Sequence, residues 1–392
     1  MRQMRTTGVK VSESEAKTKE CREETFVLLR ERFIRAVTFQ PVDRVPLIEW
    51  PIRGSTMAAW ISQGYPQGIS PTEYFNLDTS PIEAPVELGM YPKFKEKLLE
   101  HDEHYKIWRD ELGAVRKDFI NDDTPGFVTR SWLKFAVEDA AGFKRMKKRY
   151  DPANEARYEK LTPLRAQALN AAHVPVQASV PFLFWTARDW MGFEGLCYAF
   201  YDAPELVEEM FSFITEFAIQ ALGRVFKTLH VDVVELHEDM AYKHAPMISP
   251  EMFRKYMMPH YIRMVDFLHA NGVKYIYVDC DGYPGDLIPL WIEAGINGWS
   301  PIEIAAGNDI IKLRGEYPTL TFTGGIDKRE LAKDKRAVYD EVASKVPYLL
   351  EKGGYIPHVD HAIPPDVPLT NYLYYRDLLT RAAYGEQLGP RP

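Results

Sequence analysis

Strand-sized apolar runs alternate with helical stretches through the second half of this chain, and that alternation constrains its fold more than any other feature. The runs are Val174–Val180, Val231–Leu236, Val273–Val278, Ile296–Ser300, Leu320–Thr323 and Gly354–His358. Between them the spacing predicts helices over Pro204–Leu229, Pro250–Asn271, Pro284–Ala294 and Lys328–Lys352, with proline in the first turn or glycine just past the end as punctuation. Strand and helix alternating this often implies parallel strands joined by right-handed crossovers. A short apolar run at Arg44–Trp50 and a further candidate within residues 127–137 bring the count to eight. The expectation is therefore an α/β chain folded as a single (β/α)8 TIM barrel. A doubly wound open sheet is the alternative, but no Gly-x-Gly-x-x-Gly follows any of the strands.

The rest of the chain reads as additions to that barrel. Helical spacing over Ser14–Phe39 predicts an N-terminal helical extension, so residues 1–40 are set apart from a barrel domain at 41–392. Residues 51–126, rich in proline, tyrosine and charge, form an excursion within which Tyr105–Lys117 reads as an inserted hairpin about Leu112-Gly113. Lys and Arg number 48 against 56 Asp and Glu, a formal net charge of -8, which argues against a nucleic-acid partner. Cys21, Cys197 and Cys280 are far apart and odd in number, so no disulfide framework is expected and a reducing cytoplasm is the natural compartment. No apolar run approaches the ~20 residues of a membrane span, and no secretory leader is recognisable.

A barrel places its chemistry at the carboxyl ends of its strands, so the residues that follow each run are the informative ones. They are His237-Glu238-Asp239 with Lys243, then Asp279-Cys280-Asp281, then Gly324-Gly325-Ile326-Asp327, and lastly His358-Val359-Asp360-His361. Each has an ordinary structural explanation: Asp327 stands where a helix N-cap would, Asp281-Gly282 could be a turn, and His237 could be a hydrogen-bonded structural histidine. Taken together, converging carboxylates repel one another and call for a cation, a shared proton or a positively charged substrate. His, Asp and Glu from separate strands suit a divalent ion such as zinc, and His237, Asp279, Asp281 and Asp360 are the expected ligands. Glu238, Asp239, Asp327 and His361 are the candidate catalytic acids and bases. Arg53, Trp185, Arg188, Lys243 and His358 are candidates for holding a small-molecule substrate, the tryptophan as an apolar wall and the arginines as carboxylate or phosphate binders.

Several of these segments, read together, resemble the uroporphyrinogen decarboxylase superfamily, which includes cobalamin-dependent methyltransferases. The segments are Glu238-Asp-Met-Ala-Tyr-Lys243 with Ile248-Ser-Pro-Glu-Met-Phe253, Val278-Asp-Cys-Asp-Gly282 with Leu287-Ile-Pro-Leu290, Gly324-Gly-Ile-Asp-Lys328, and Gly353-Gly-Tyr-Ile-Pro357 with Asp360-His361. The resemblance spans roughly residues 25 to 385 and implies the same barrel fold. Decarboxylases proper carry Met-Arg-Gln-Ala-Gly-Arg after the first strand, whereas this chain reads Ile48-Glu-Trp-Pro-Ile-Arg53, which places it nearer the methyltransferases. In that branch a His-x-Cys pair and a later Cys bind zinc. Asp279, Asp281 and Asp360 stand at the matching positions here, so thiol methylation gives way to the other half-reaction. The resemblance thus implies transfer of a methyl group from a methoxy or methylamine-type donor to a corrinoid carried by a partner protein, as in an O-demethylase component. A homodimer is the assembly considered. Decarboxylation of a small or aromatic acid and a non-catalytic corrinoid- or tetrapyrrole-binding module are the alternatives.

Overall fold

The structure is a computed structural model that describes residues 27–120 and 130–392. Seven parallel strands form the main sheet in the order β1-β6-β7-β8-β9-β10-β11. They are β1 (Ile82–Glu83), β6 (Val176–Pro181), β7 (Val233–His237), β8 (Tyr275–Asp279), β9 (Gly298–Ile302), β10 (Thr321–Gly324) and β11 (Tyr355–Ile356). The smaller sheet is antiparallel, with order β2 (Lys97–His101), β3 (Tyr105–Arg109), β4 (Val115–Phe119) and β5 (Arg130–Lys134).

Six of the expected strands are present, mostly one or two residues later than the apolar runs begin. That shift matters, because His237 and Asp279 become the last residues of β7 and β8 and pair in register with each other. Side chains alternate along each strand. Val176, Ala178, Val180, Val234, Leu236, Ile276 and Val278 join the main core under the helices. The other row, Gln177, Ser179, Glu235, His237, Tyr277 and Asp279, therefore faces the opposite side, the interior of the curled sheet.

Two strand expectations are corrected. Arg44–Trp50 is extended but forms no ladder, because Pro46 lacks an N–H in the middle of the run. The first parallel strand is instead β1, two residues long and paired with β6. The candidate within residues 127–137 is β5, which belongs to the antiparallel sheet, and its first residues lie outside those described. The eight-strand count thus becomes seven, and the described residues show a curled parallel sheet with edges at β1 and β11. The inserted hairpin is present as β3 and β4 about Gly113, whose φ of 92° suits only glycine well, but it is the centre of four strands. Of the N-terminal helix, Leu29–Val37 is described and the residues before 27 lie outside the description.

Helices cover the outer face. Pro204–Val225 and Lys335–Lys352 are the longest, and the expected Pro250–Asn271 helix is a composite of Pro250–Met252, a π turn at Phe253–Met257 and Met258–Ala270. Pro259 explains the wide turn, since it cannot donate to the preceding turn and its ring displaces that carbonyl. Among the described residues no helix is long and apolar enough to cross a membrane.

The extended Arg44–Trp50 segment is tied to the chain just ahead of β1. Arg44 grips both oxygens of Asp78, the Leu47 N–H donates to Asp78 at 2.8 Å, and the Asp78 N–H donates to the Leu47 carbonyl. Burial alone would raise the Asp78 carboxyl, but the Arg44 hydrogen bonds outweigh it and hold it below the usual carboxylate range. Asp78→Asn is expected to cost about 1–3 kcal/mol at neutral pH. A depressed folded value contributes stability above the unfolded one and loses it as pH falls through the folded one, so the gap between variant and wild type closes below about pH 4. Urea melts at neutral and acidic pH check this; a gap that persists in acid contradicts it.

Candidate active site

The carboxyl ends of β7 and β8 bring Glu235, His237 and Asp279 within 4.8 Å of one another, one ligand-capable atom from each. His237 Nδ1 hydrogen-bonds Asp279 and lies 3.7 Å from Glu235. Burial disfavours the charged imidazole, but the Asp279 hydrogen bond and the two carboxylate charges prevail, and His237 is held above its ordinary value. Glu235 is pushed up to about 7, first by burial and then by the charge of Asp279. Gln177 donates to Glu235 at 3.1 Å and the Tyr277 hydroxyl at 2.5 Å, which fixes the carboxylate against the sheet. Trp185 closes the cluster from the side, edge-on to the His237 ring with centroids 4.1 Å apart.

Trp185 is placed by Glu238. This carboxylate is fully buried and accepts from the Phe184 and Trp185 N–H groups at 2.7 and 3.2 Å and from the Tyr261 hydroxyl at 2.7 Å, so it caps the start of helix Leu183–Met191. Burial raises it to about 7 despite those donors. Asp239 turns the chain through a positive φ of 41° and receives two hydrogen bonds from Arg188, one to its carbonyl at 2.9 Å and one to its carboxylate at 3.1 Å. The Arg188 guanidinium also lies over the Trp185 ring at 4.6 Å. Glu238, Asp239 and Arg188 thus position the tryptophan beside His237.

The other expected residues are placed elsewhere. Asp281 pairs with His361 at 3.3 Å, and His361 stacks on Trp50. Asp360 is wholly buried, accepts from the Ile304 N–H at 3.0 Å and is paired with Lys328 at 3.1 Å, which makes it a tie between strand ends. Neither is in the Glu235, His237, Asp279 group. Asp327 caps helix Lys328–Leu331 through the Arg329 N–H and is gripped by the Arg329 side chain, the structural role open to it from the start. Lys243 is exposed beside Asp281 and Glu303. Arg53 is half-buried and immediately precedes helix Gly54–Ser62. His358 is buried, with Nδ1 2.7 Å from the Val359 carbonyl and burial lowering the ring to about 4. Glu235 was not among the expected ligands, although its i, i+2 spacing from His237 in a strand is the signal that would have found it.

The donor set, one imidazole and two carboxylates, fits a divalent ion of the zinc type. Thiolate ligation does not fit: the Cys280 sulfhydryl is buried, pushed well above its ordinary value, and donates to the Asp281 carbonyl. Beside the cluster, a cavity of about 300 Å³ runs into the sheet interior past Glu235, Tyr277 and Tyr275. A larger open groove, about 1110 Å³, lies outside near Trp132, Phe193 and Tyr198, away from the strand ends. We take the smaller cavity as the one tied to the chemistry, because Glu235 is shared by cavity and cluster.

A curled parallel sheet with its polar residues gathered at the carboxyl strand ends is the architecture of a barrel-type α/β protein. The family model for uroporphyrinogen decarboxylase (URO-D) matches residues 135–381, well over half of the chain, and the chain belongs to that family. Among solved structures, a methyltransferase from Methanosarcina mazei covers 91% of this chain and 98% of its own, with a TM-score of 0.52 at 15% identity, a likeness of fold alone. A 3-keto-L-gulonate-6-phosphate decarboxylase from Vibrio cholerae O1 biovar El Tor covers 56% of this chain and 91% of its own at 12% identity, and its TM-score of 0.23 supports no argument. No curated protein matches the chain.

Proposed function

We propose that this protein is a methyltransferase that moves a methyl group from a small donor of the methoxy or methylamine type to a corrinoid carried by a partner protein. The observation that carries this reading is the Glu235, His237 and Asp279 cluster walled by Trp185 in a URO-D family chain. The similarity of fold to a methyltransferase agrees with it. Decarboxylation gains less support, because among the described residues no Lys or Arg lines the cavity to receive a substrate carboxylate, and Arg188 is already bound to Asp239.

Glu235, His237 and Asp279 are the residues that would hold a divalent ion, which would supply Lewis acidity toward the heteroatom losing its methyl group. Trp185 screens that point from water, and Glu238 keeps Trp185 in place through the helix it caps. The hydrogen bond to Asp279 fixes the orientation of the His237 ring. The test is to incubate the full chain with cob(I)alamin and a panel of methoxyarenes and methylamines, following loss of the cob(I)alamin absorbance and the demethylated donor by mass spectrometry. Donor-dependent consumption of cob(I)alamin is expected. Carbon dioxide release from a carboxylic acid without corrinoid, and no demethylation, overturns the reading.

A further inference from the structure

The open groove beside the antiparallel sheet, about 1110 Å³, is walled by Trp132 of β5 and by Phe193 and Tyr198 of helix Phe193–Asp202, all three exposed. Six acids line it, and among the described residues Lys134 is the one base that does. Three of the acids are already engaged: Glu138 with Lys134 at 3.2 Å, Glu209 with Lys147 at 2.6 Å, and Asp139 with the Gly142 N–H that it caps at 2.7 Å. Glu194, Asp202 and Glu205 are exposed and form no ion pair among the described residues. An exposed apolar wall with an unanswered acidic rim marks an interaction surface for something both apolar and basic.

That charge decides between occupants. A second copy seated groove to groove sets acid against acid, and nucleic acid or an anionic membrane is repelled for the same reason. Residues 121–129, which lie outside the description, carry Asp122 and Asp123 and no Lys or Arg. Residues 1–11, also outside it, read Met-Arg-Gln-Met-Arg-Thr-Thr-Gly-Val-Lys-Val, with Arg2, Arg5 and Lys10, no acid, and Met1, Met4, Val9 and Val11 among them. Arginine stacks on aromatic faces and methionine packs at ring edges, so this segment matches both the wall and the rim.

The chain is long enough to bring the two together. Arg30 is held at the far end of helix Pro204–Val225: its N–H donates to the His173 carbonyl, its guanidinium to the Asn170 carbonyl at 3.1 Å, and Asn170 to the Thr228 carbonyl at 2.9 Å. Glu205, Leu206 and Glu209 line the groove at the other end of that helix, whose 22 residues span about 33 Å. Leu28 is extended ahead of helix Leu29–Val37, and residues 12–26 in extended form cover up to about 50 Å. We propose that residues 1–11 of this chain lie in the groove, their apolar side chains on Trp132, Phe193 and Tyr198 and their cations beside Glu194, Asp202 and Glu205. The proposal is independent of the methyl-transfer reading.

Hydroxyl-radical footprinting of the full chain reads the cover directly. Tyr198 and Tyr201 stand on the same helix and are similarly open among the described residues, at 67% and 75% exposed, but Tyr198 lines the groove and Tyr201 does not. Tyr198 is expected to oxidise at least about fivefold more slowly than Tyr201, because a docked segment excludes water from the rings it covers. Combined Arg2→Glu, Arg5→Glu and Lys10→Glu substitutions should bring the two tyrosines to parity. Carbodiimide coupling of the unsubstituted protein, which joins an amine to a carboxylate only in contact, should link Lys10 to Glu194, Asp202 or Glu205 within one chain. Equal oxidation of the two tyrosines in the wild type, or protection that survives the charge reversal, overturns the proposal. So does a Lys10 link that forms to acids elsewhere, or only between chains in a mixture of isotope-labelled and unlabelled protein.

Discussion

Asp279→Asn is expected to slow donor-dependent consumption of cob(I)alamin by roughly a hundredfold or more. Asp279 is placed at the end of β8, opposite His237, and takes part in two functions at once. It is one of three groups that can hold a divalent ion, and its hydrogen bond orients the His237 ring. An amide is a poor ligand for a divalent ion and a weaker partner for the His237 ring, so both functions are lost with almost no change in volume. The fold should survive, because the side chain is partly exposed and packs in no apolar cluster. The check is paired: rate and bound zinc per chain should fall together while the thermal midpoint stays close to wild type. A rate within about twofold of wild type would remove the cluster from the chemistry.

Arg157→Leu is expected to be the most damaging single change to stability away from the cluster, at about 4 kcal/mol. Arg157 is 1% exposed and its guanidinium donates only to backbone carbonyls: Asp151 at 2.9 Å, Glu87 at 2.8 Å, Gly89 at 2.6 Å, Tyr91 at 3.2 Å, and Arg149. These carbonyls lie on the loop that follows β1 and on the turn at residues 149–151, and the same group sits over the Phe217 ring of helix Pro204–Val225. Leucine would fill the space and leave several buried acceptors unpaired, each costing about 1–3 kcal/mol before water relieves part of the loss. Lysine should recover only a fraction, because a single ammonium cannot reach carbonyls arranged around a planar fork. Urea denaturation monitored by circular dichroism reads the cost. A loss below about 1 kcal/mol would mean that the loop carbonyls are solvated without Arg157.

The two predictions fall on different sides of what could be read in the sequence. Asp279 and His237 were visible because each ends an apolar run, and a parallel sheet leaves few other places for a charged residue to sit so close to a core. Arg157 was invisible, since nothing in its neighbourhood in sequence distinguishes a guanidinium that clamps five carbonyls from one in solvent. Glu235 fell between these cases. It was hidden inside what reads as a strand, and its i, i+2 spacing from His237 became informative once the strand was seen to run on to His237. Arg44–Trp50 misled in the opposite direction, because apolar content suggested a strand where Pro46 withholds the ladder hydrogen bond.

The sequence by itself determined the α/β alternation, the six strands from Val176 onward and the family, and it placed His237 and Asp279 among four candidate ligands. These follow from local periodicity and from short motifs, which neighbouring residues specify. Only the tertiary structure decided which acids meet. Asp281 and Asp360, as plausible as Asp279 on spacing alone, were turned to His361 and Lys328, while Glu49 and Glu83, from distant segments, came to line one cavity with Glu235. The reason is physical: a carboxylate near a core takes whichever hydrogen-bond donor or cation the fold brings to it, and those partners lie many residues away in the chain.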